Sequence, residues 1–259
     1  MKMNFARRSL CRGPFFAFIG AAVLAAVALA AAPKISLASD SVGALLARTV
    51  AKPPASPPSV LTSDKGKLRI LVNGQDVGKE DFDIAPGGGG WVAHGTTEIQ
   101  SAQGAMHVTG TLTLHDDGTP VRYEWSTSGP KKASSTIEFN GASASVDLRL
   151  QGARPYTQQF TFTSPRVVIL DNNLYYQYSI LAHLYDWSQK GTQSFSVLVP
   201  QEMTPGTVTV QSVGKQDVNG KKLDELVVKT EDIELDLYLD NLRLMRIVVP
   251  SSNAEILRQ

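Results

Sequence analysis

His183 and Asp186 stand three residues apart in a stretch with helical spacing, so on a helix their side chains are neighbours. A carboxylate beside an imidazole is what a general base, or half of a metal site, requires. No second histidine and no nucleophile is tied to the pair by sequence. A histidine on the surface or last turn of a helix is the competing reading, and a hydrolase of unknown class is the third functional reading. The other histidines are His94, His107 and His115. His107 and His115 fall on one face of one strand about 26 Å apart, too far to share a metal. The threonines between them mark a solvated face.

Other candidate motifs dissolve on inspection. Asp116-Asp117-Gly118 lacks the long loop of alternating oxygen ligands that calcium needs, and reads as a hairpin turn. Gly87-Gly88-Gly89-Gly90 lacks the lysine and Ser/Thr of a phosphate loop and reads as a flexible connection between Pro86 and Trp91. Gly-x-Ser-x-Gly, His-Glu-x-x-His and Cys-x-x-Cys are absent. No catalytic residue, metal site or cofactor is therefore expected. The positive feature is aromatic. Tyr175, Tyr176, Tyr178, Tyr185 and Trp187 lie within 13 residues, in a chain with 7 Tyr, 9 Phe and 3 Trp. Aromatics with polar tips line ligand sites, and they fill the gap between a helix and a sheet equally well. With His183 they form the candidate ligand-binding set.

These residues sit on the one segment that breaks a two-residue rhythm. Leu174, Tyr178, Leu181 and Tyr185 share a helical stripe, which predicts a helix over about 172–186 capped by Asp171 or Asn172. Elsewhere apolar and polar residues alternate. Ile233, Leu235, Leu237 and Leu239 share one face; Glu234, Asp236, Tyr238 and Asp240 share the other. Met106, Val108, Leu112 and Leu114 form a second such face, and Val146, Leu148 and Leu150 a third. One dry and one wet face mark antiparallel sheet. Asn73-Gly74, Asp117-Gly118, Asn140-Gly141 and Asn219-Gly220 supply hairpin turns. The pattern predicts about fourteen strands from 67 to 249, joined as a long antiparallel meander. So long a meander curls, because twisted sheets of this strand count do not stay flat. The expected fold class is all-β with one helix, a half-barrel or β-roll with the helix packed on its open side.

The N-terminus gives the compartment. Lys2, Arg7, Arg8 and Arg12 precede an apolar run from Phe15 to Ala32, and no acid appears before Asp40. This is the charged and apolar pattern of a signal peptide, with Ser36-Leu37-Ala38 as the fitting cleavage site. The run is also near the length that spans a bilayer, so an uncleaved anchor is the alternative. The expected organisation is a signal or anchor over 1–38, a proline-rich linker over 39–66 and a single β domain over 67–259. Within the linker, 43–52 could form a brief helical turn, and Pro53, Pro54, Pro57 and Pro58 stop it. Cys11, the single cysteine, leaves with the signal, so the mature chain has no disulfide and no thiol chemistry. The charge changes as well. Of 25 basic and 24 acidic residues, five basic ones lie before residue 39, which leaves 20 against 24 and a net of −4. That argues against a nucleic-acid partner, which is usually recognised by a basic stripe, and weakens charge-driven membrane binding.

Five segments carry a resemblance: Val167-Val-Ile-Leu-Asp171-Asn-Asn, the aromatic helix ending near Tyr185-Asp186, Phe195-Ser-Val-Leu-Val-Pro200, Leu237-Tyr-Leu-Asp240 and Arg246-Ile-Val-Val-Pro250. Over roughly 66–256 the chain resembles an uncharacterised group of bacterial envelope proteins. These are domains of unknown function similar to the curled antiparallel sheets of lipoprotein carriers. The resemblance implies a half-barrel with a helix at its mouth and no assigned activity. The expected protein is periplasmic or secreted, or anchored in the inner membrane facing the periplasm. Membrane contact would come only through the N-terminal segment. Two roles stand open: a binding or scaffold protein holding a lipid or other amphiphile in the concave face, and a structural module with a filled core that binds an envelope protein.

Overall fold

The computed structural model describes residues 59–259, apart from 102, 103, 131 and 232. The expected export segment, the turn at 43–52 and the proline tether at 53–58 lie outside the described residues. The strands are β1 (Asp64–Val72), β2 (Gln75–Gly87), β3 (Gly90–Ser101), β4 (Gly104–Leu114), β5 (Pro120–Ser128), β6 (Ala133–Asn140), β7 (Ser143–Leu150), β8 (Tyr156–Thr161) and β9 (Val167–Ile169). After helix α1 (Gln177–Leu184) come β10 (Thr192–Val199), β11 (Thr204–Val218), β12 (Lys221–Lys229), β13 (Glu234–Asp240), β14 (Arg243–Val249) and β15 (Ala254–Arg258).

All fifteen strands belong to one sheet, in the order β8 to β1, then β15 to β9. The first and last strands of the domain thus pair in mid-sheet, and the two sheet edges, β8 and β9, are consecutive in the chain. Residues 162–166 join those edges, and a link of that length spans at most about 20 Å. Laid flat, fifteen strands would separate the edges by about 67 Å. The sheet must therefore curl until its edges approach. Its inner face carries the expected alternation: Leu68, Ile84, Leu112, Ile137, Leu226 and Leu237, from six strands, are all buried. Its outer face carries cross-strand ion pairs such as Lys65–Asp83 (3.1 Å), Lys79–Glu98 (3.1 Å) and Lys229–Glu234 (2.7 Å). That is the reverse of a lipid-facing barrel, whose outer band is apolar.

The helix lies inside the curl. β9 and β10 run parallel, so the chain between them must cross back over the length of a strand. The crossing chain passes over the concave face. Leu174, Tyr176, Gln177, Ser179, Leu181 and Ala182 are completely buried. The helix is shorter than the predicted 172–186, and Tyr176 occupies its N-cap rather than Asp171 or Asn172. Seven of its eight residues are buried. Such a helix needs no polar face, which is why a single stripe understated how much of it packs.

One row of inward residues shows how the wall receives it. Gly66, Phe82, Gly95, Gly110, Trp125, Ser135, Leu148 and Tyr156 are cross-strand partners in turn from β1 to β8. A Cβ at Gly95 would overlap the Tyr176 ring, and one at Gly110 would overlap Leu174 and the Tyr123 hydroxyl. The two paired glycines form the dent in which the crossing chain sits.

The mid-sheet seam has its own lock. Arg258 near the C-terminus of β15 donates to both carboxylate oxygens of Asp64 at 2.6 and 2.8 Å, and both side chains are buried. Its Nη1 and Nη2 also donate to the Leu244 and Lys65 carbonyls, and its guanidinium lies 5.3 Å from the Phe82 ring centre. β15 is a fifteenth strand beyond those predicted from sequence. At the other end, the folded unit begins earlier than 67: Leu61 is buried, Val60 N donates to the Asp116 carbonyl at 3.0 Å and β1 starts at Asp64.

Two substitutions test this architecture by urea denaturation. Gly95→Ala is expected to lose about 1–3 kcal/mol through overpacking against Tyr176. Arg258→Met leaves the buried Asp64 carboxylate only the longer contact to Arg243 Nε at 3.4 Å and is expected to lose about 3 kcal/mol, with the double change Asp64→Leu/Arg258→Met recovering most of it. A near-neutral Arg258→Met would mean that the seam does not depend on the pair.

Candidate functional site

The chemistry-bearing residues of the interior converge where the crossing chain enters. Glu80 points inward from β2 and is completely buried. Its Oε1 accepts the Tyr176 N–H at 2.8 Å; its Oε2 accepts the Tyr175 N–H at 2.6 Å and the Thr97 hydroxyl at 3.1 Å. Asp171 lies at the end of the β9 segment. Its Oδ2 accepts the Tyr123 hydroxyl at 2.9 Å, and its Oδ1 accepts the N–H groups of Gln201 (3.0 Å) and Asn172 (3.2 Å). Gln177 closes the ring: its Oε1 accepts the Asp171 N–H at 2.5 Å and its Nε2 donates to the Tyr123 hydroxyl at 3.1 Å.

Loss of water pushes the Glu80 carboxyl up to about 7, against the lowering effect of its three donors. Burial likewise pushes Asp171 up to about 7, and burial together with Asp171 raises the Tyr123 hydroxyl well above its ordinary value. Acids raised to neutrality occur at catalytic centres, and structural networks raise them equally. Here both carboxyls are spent on backbone amides and on the hydroxyls of Thr97 and Tyr123. The arrangement acts as a clamp on the turn before α1, supplying acceptors for amides that precede the helix.

The aromatic set is distributed around this clamp. Tyr176 fills the Gly95 dent and directs its hydroxyl at the Gly110 carbonyl (3.4 Å). Tyr175 and Tyr178 are half-buried against the core. Tyr185 is buried beyond the helix, its hydroxyl donating to the Gly191 carbonyl at 2.7 Å and accepting the Ser212 N–H at 3.3 Å. Trp187 meets it edge-on at 5.2 Å between ring centres and donates to the Ala182 carbonyl at 3.0 Å. The structure thus puts these side chains in packing between helix and wall rather than around one opening.

His183 and Asp186 are not brought together. His183 Nδ1 lies 2.8 Å from the Ser179 carbonyl, which can only accept, so Nδ1 carries the proton and Nε2 accepts the Thr62 hydroxyl at 2.8 Å. The histidine ties the segment preceding β1 to the helix. Asp186 faces solvent and accepts from the Ser188 hydroxyl and N–H, which hold its carboxyl below the usual value. His94 and His107 lie on the outer face, where His94 bonds Thr111 at 2.8 Å and His107 lies 3.7 Å from Glu98, whereas His115, expected on the same strand face as His107, falls in the turn after β4, which ends at Leu114. Gly87–Gly90 is a tight hairpin: Gly87 pairs with Gly90 across Gly88 and Gly89, whose φ values are 64° and 82°.

Sequence reasoning missed two features. Glu80 is one acid among several in β2, and only its inward phase relative to Phe82 and Ile84 distinguishes it. The second is an uncovered stretch of inner wall at β7 and β8. Tyr156 and Leu150 share the phase of buried Leu148 yet are 53% and 47% exposed. In the row that ends in Tyr156, the buried Trp125 Nε1 and Ser135 Oγ have no hydrogen-bond partner. Two depressions of about 420 and 330 Å³ lie on the outer surface, one by Glu225, Tyr238 and Arg246 and one by Thr109, Glu124 and Thr136.

The clamp has a pH signature. In the folded chain both carboxyls keep protons that the unfolded chain, with ordinary values of 4.5 and 3.8, has released. Their contribution is therefore most favourable below those values and is lost as pH rises towards about 7. The urea midpoint is expected to fall between about pH 5 and about pH 7.5, and Glu80→Gln to remove about half of that slope. A midpoint that rises over this interval would contradict the assignment.

No protein-family description matches the chain, and no curated protein sequence matches it. A solved structure does. It is a β-barrel-like protein of the domain of unknown function DUF1849 from Brucella abortus, 9% identical, with a TM-score of 0.53 over 77% of this chain and 95% of that one. At that identity the likeness concerns the fold: a single curled sheet, barrel-like, with one helix.

Proposed function

We propose that this chain is an exported envelope protein whose β domain is a non-enzymatic scaffold or protein-interaction module. The observation that carries this reading is the filled concave face. Leu174, Tyr176 and Leu181 occupy the space where an internal ligand would lie, clamped there by Glu80 and Asp171. Recognition then falls to the outside and the edges of the sheet. The export segment at 1–38 argues for the envelope compartment, and the proline tether suits a domain held near, or released from, a membrane. A second reading, a domain that holds a lipid or other amphiphile, is favoured by one observation: the unpartnered Trp125 Nε1 and Ser135 Oγ behind exposed Leu150 and Tyr156.

Titration with a fluorescent fatty acid separates the two. The module reading expects no saturable binding, whereas binding quenched by Trp125 and lost in Tyr156→Glu would establish the second. Compartment is tested apart from ligand: protease added to intact spheroplasts is expected to digest the β domain. Protection until the membrane is lysed would overturn export.

A further inference from the structure

The β8 edge is where strand chemistry is left unfinished. Among the described residues β8 pairs with β7 alone and β9 with β10 alone. Two rows of inward side chains cross from β1 to this edge, and both end uncovered, one in Tyr156 and the other in Leu150. Edge strands normally avoid presenting large apolar side chains, because a free edge is a template for another strand. The chain segment that forms the edge carries cations alone, and its acidic neighbours, Asp147 beside Arg149 and Asp117 beside Arg166, belong to other strands and turns. Residues 148–170 include Arg149, Arg154 and Arg166 and no acid. Lys132 stands beside them, its carbonyl accepting the Gln151 N–H at 3.0 Å. Asp147 pairs with Arg149 at 3.7 Å, but that arginine is 71% exposed and keeps donors free for a second carboxylate.

We propose that the β8 edge accepts an extended acidic segment of a partner protein as an added strand. Its backbone would pair with β8, its apolar side chains would cover Tyr156 and Leu150, and its carboxylates would face Arg149 and Arg154. A second copy of this chain is the poorer occupant. Antiparallel pairing of two β8 strands would set Arg154 of each copy, just before β8, near Arg166 of the other, just after it. A lipid chain would leave the free backbone groups of β8 unpaired. The inference rests on the module reading and names its partner chemistry.

The test uses the full chain and two labelled ten-residue peptides, one alternating valine with glutamate and one alternating valine with lysine, followed by fluorescence anisotropy. Saturable binding of the glutamate peptide is expected, at least tenfold tighter than the lysine peptide and weakening steeply as salt is raised. Gln159→Pro, which strips one amide from β8, and Arg149→Glu/Arg154→Glu are each expected to weaken it at least tenfold. The charge-reversed variant should also gain the lysine peptide, a change that unfolding does not mimic. The salt titration on the unaltered chain decides the matter if either variant fails to fold. Absence of saturable binding, equal affinity for both peptides, self-association through β8 in sedimentation, or displacement of the peptide by a lysophospholipid would each overturn the proposal. Only the last would also overturn the module reading.

Discussion

Glu80 accepts two consecutive backbone amides from the chain that fills the sheet, and the interior is organised around that contact. A turn buried inside a sheet exposes N–H groups that no strand can satisfy, and each would cost on the order of 1–3 kcal/mol if left bare. One inward carboxylate on β2 takes those of Tyr175 and Tyr176, while Asp171 takes those of Asn172 and Gln201. With the turn satisfied, Tyr176 can enter the Gly95 dent and α1 can be buried on nearly all sides. The cost is electrostatic. No cation is among the partners of either acid, so both are held near neutrality by burial, and the clamp is strongest when they carry protons.

The topology explains why the interior needs filling from within. A curled sheet of fifteen strands encloses more space than its own side chains occupy, since small closed barrels of about eight strands already fill theirs. The parallel crossing between β9 and β10 supplies the missing volume with covalently attached chain. The same arrangement leaves the seam between β8 and β9 open. The opposite seam, between β1 and β15, is closed by hydrogen bonds and by the Asp64–Arg258 pair. One side of the sheet is thus locked by a buried ion pair, and the other is bridged only by residues 162–166.

Much of this was legible in the sequence because period and turn chemistry are local. Alternation at 106–114, 146–148 and 235–239 located strands and their dry faces, although Leu150 and Ile233 at the ends of the expected faces are exposed, and Asn73-Gly74 and Asn219-Gly220 marked hairpins whose φ values are indeed positive. β15 escaped because Ala254–Arg258 is short and follows Pro250-Ser-Ser, whose tight turn ends with Asn253 at φ 47°. The helix was recognised, but its place inside the curl depends on the direction of β9 relative to β10, which no local pattern encodes. The candidate site was the least legible part. Tyr175, Tyr176, Tyr178, Tyr185 and Trp187 are grouped in sequence, yet only Tyr185 and Trp187 pack ring against ring. Glu80, Asp171 and Tyr123 are scattered over ninety residues and meet only through register.

The same geometry bears on why a domain with two acids near neutrality need not be an enzyme. A catalytic acid must exchange its proton with a substrate that reaches it, and its hydrogen bonds must be free to change during the reaction. Glu80 is enclosed by β2, β3 and the crossing chain, and all three of its donors belong to the fold. To open a path to it, the Tyr175–Tyr176 turn would have to leave the wall, which would empty the Gly95 dent and undo the packing of α1. Accessibility and folding therefore compete at this position. The acid that shapes the interior is unavailable to solvent because it shapes the interior.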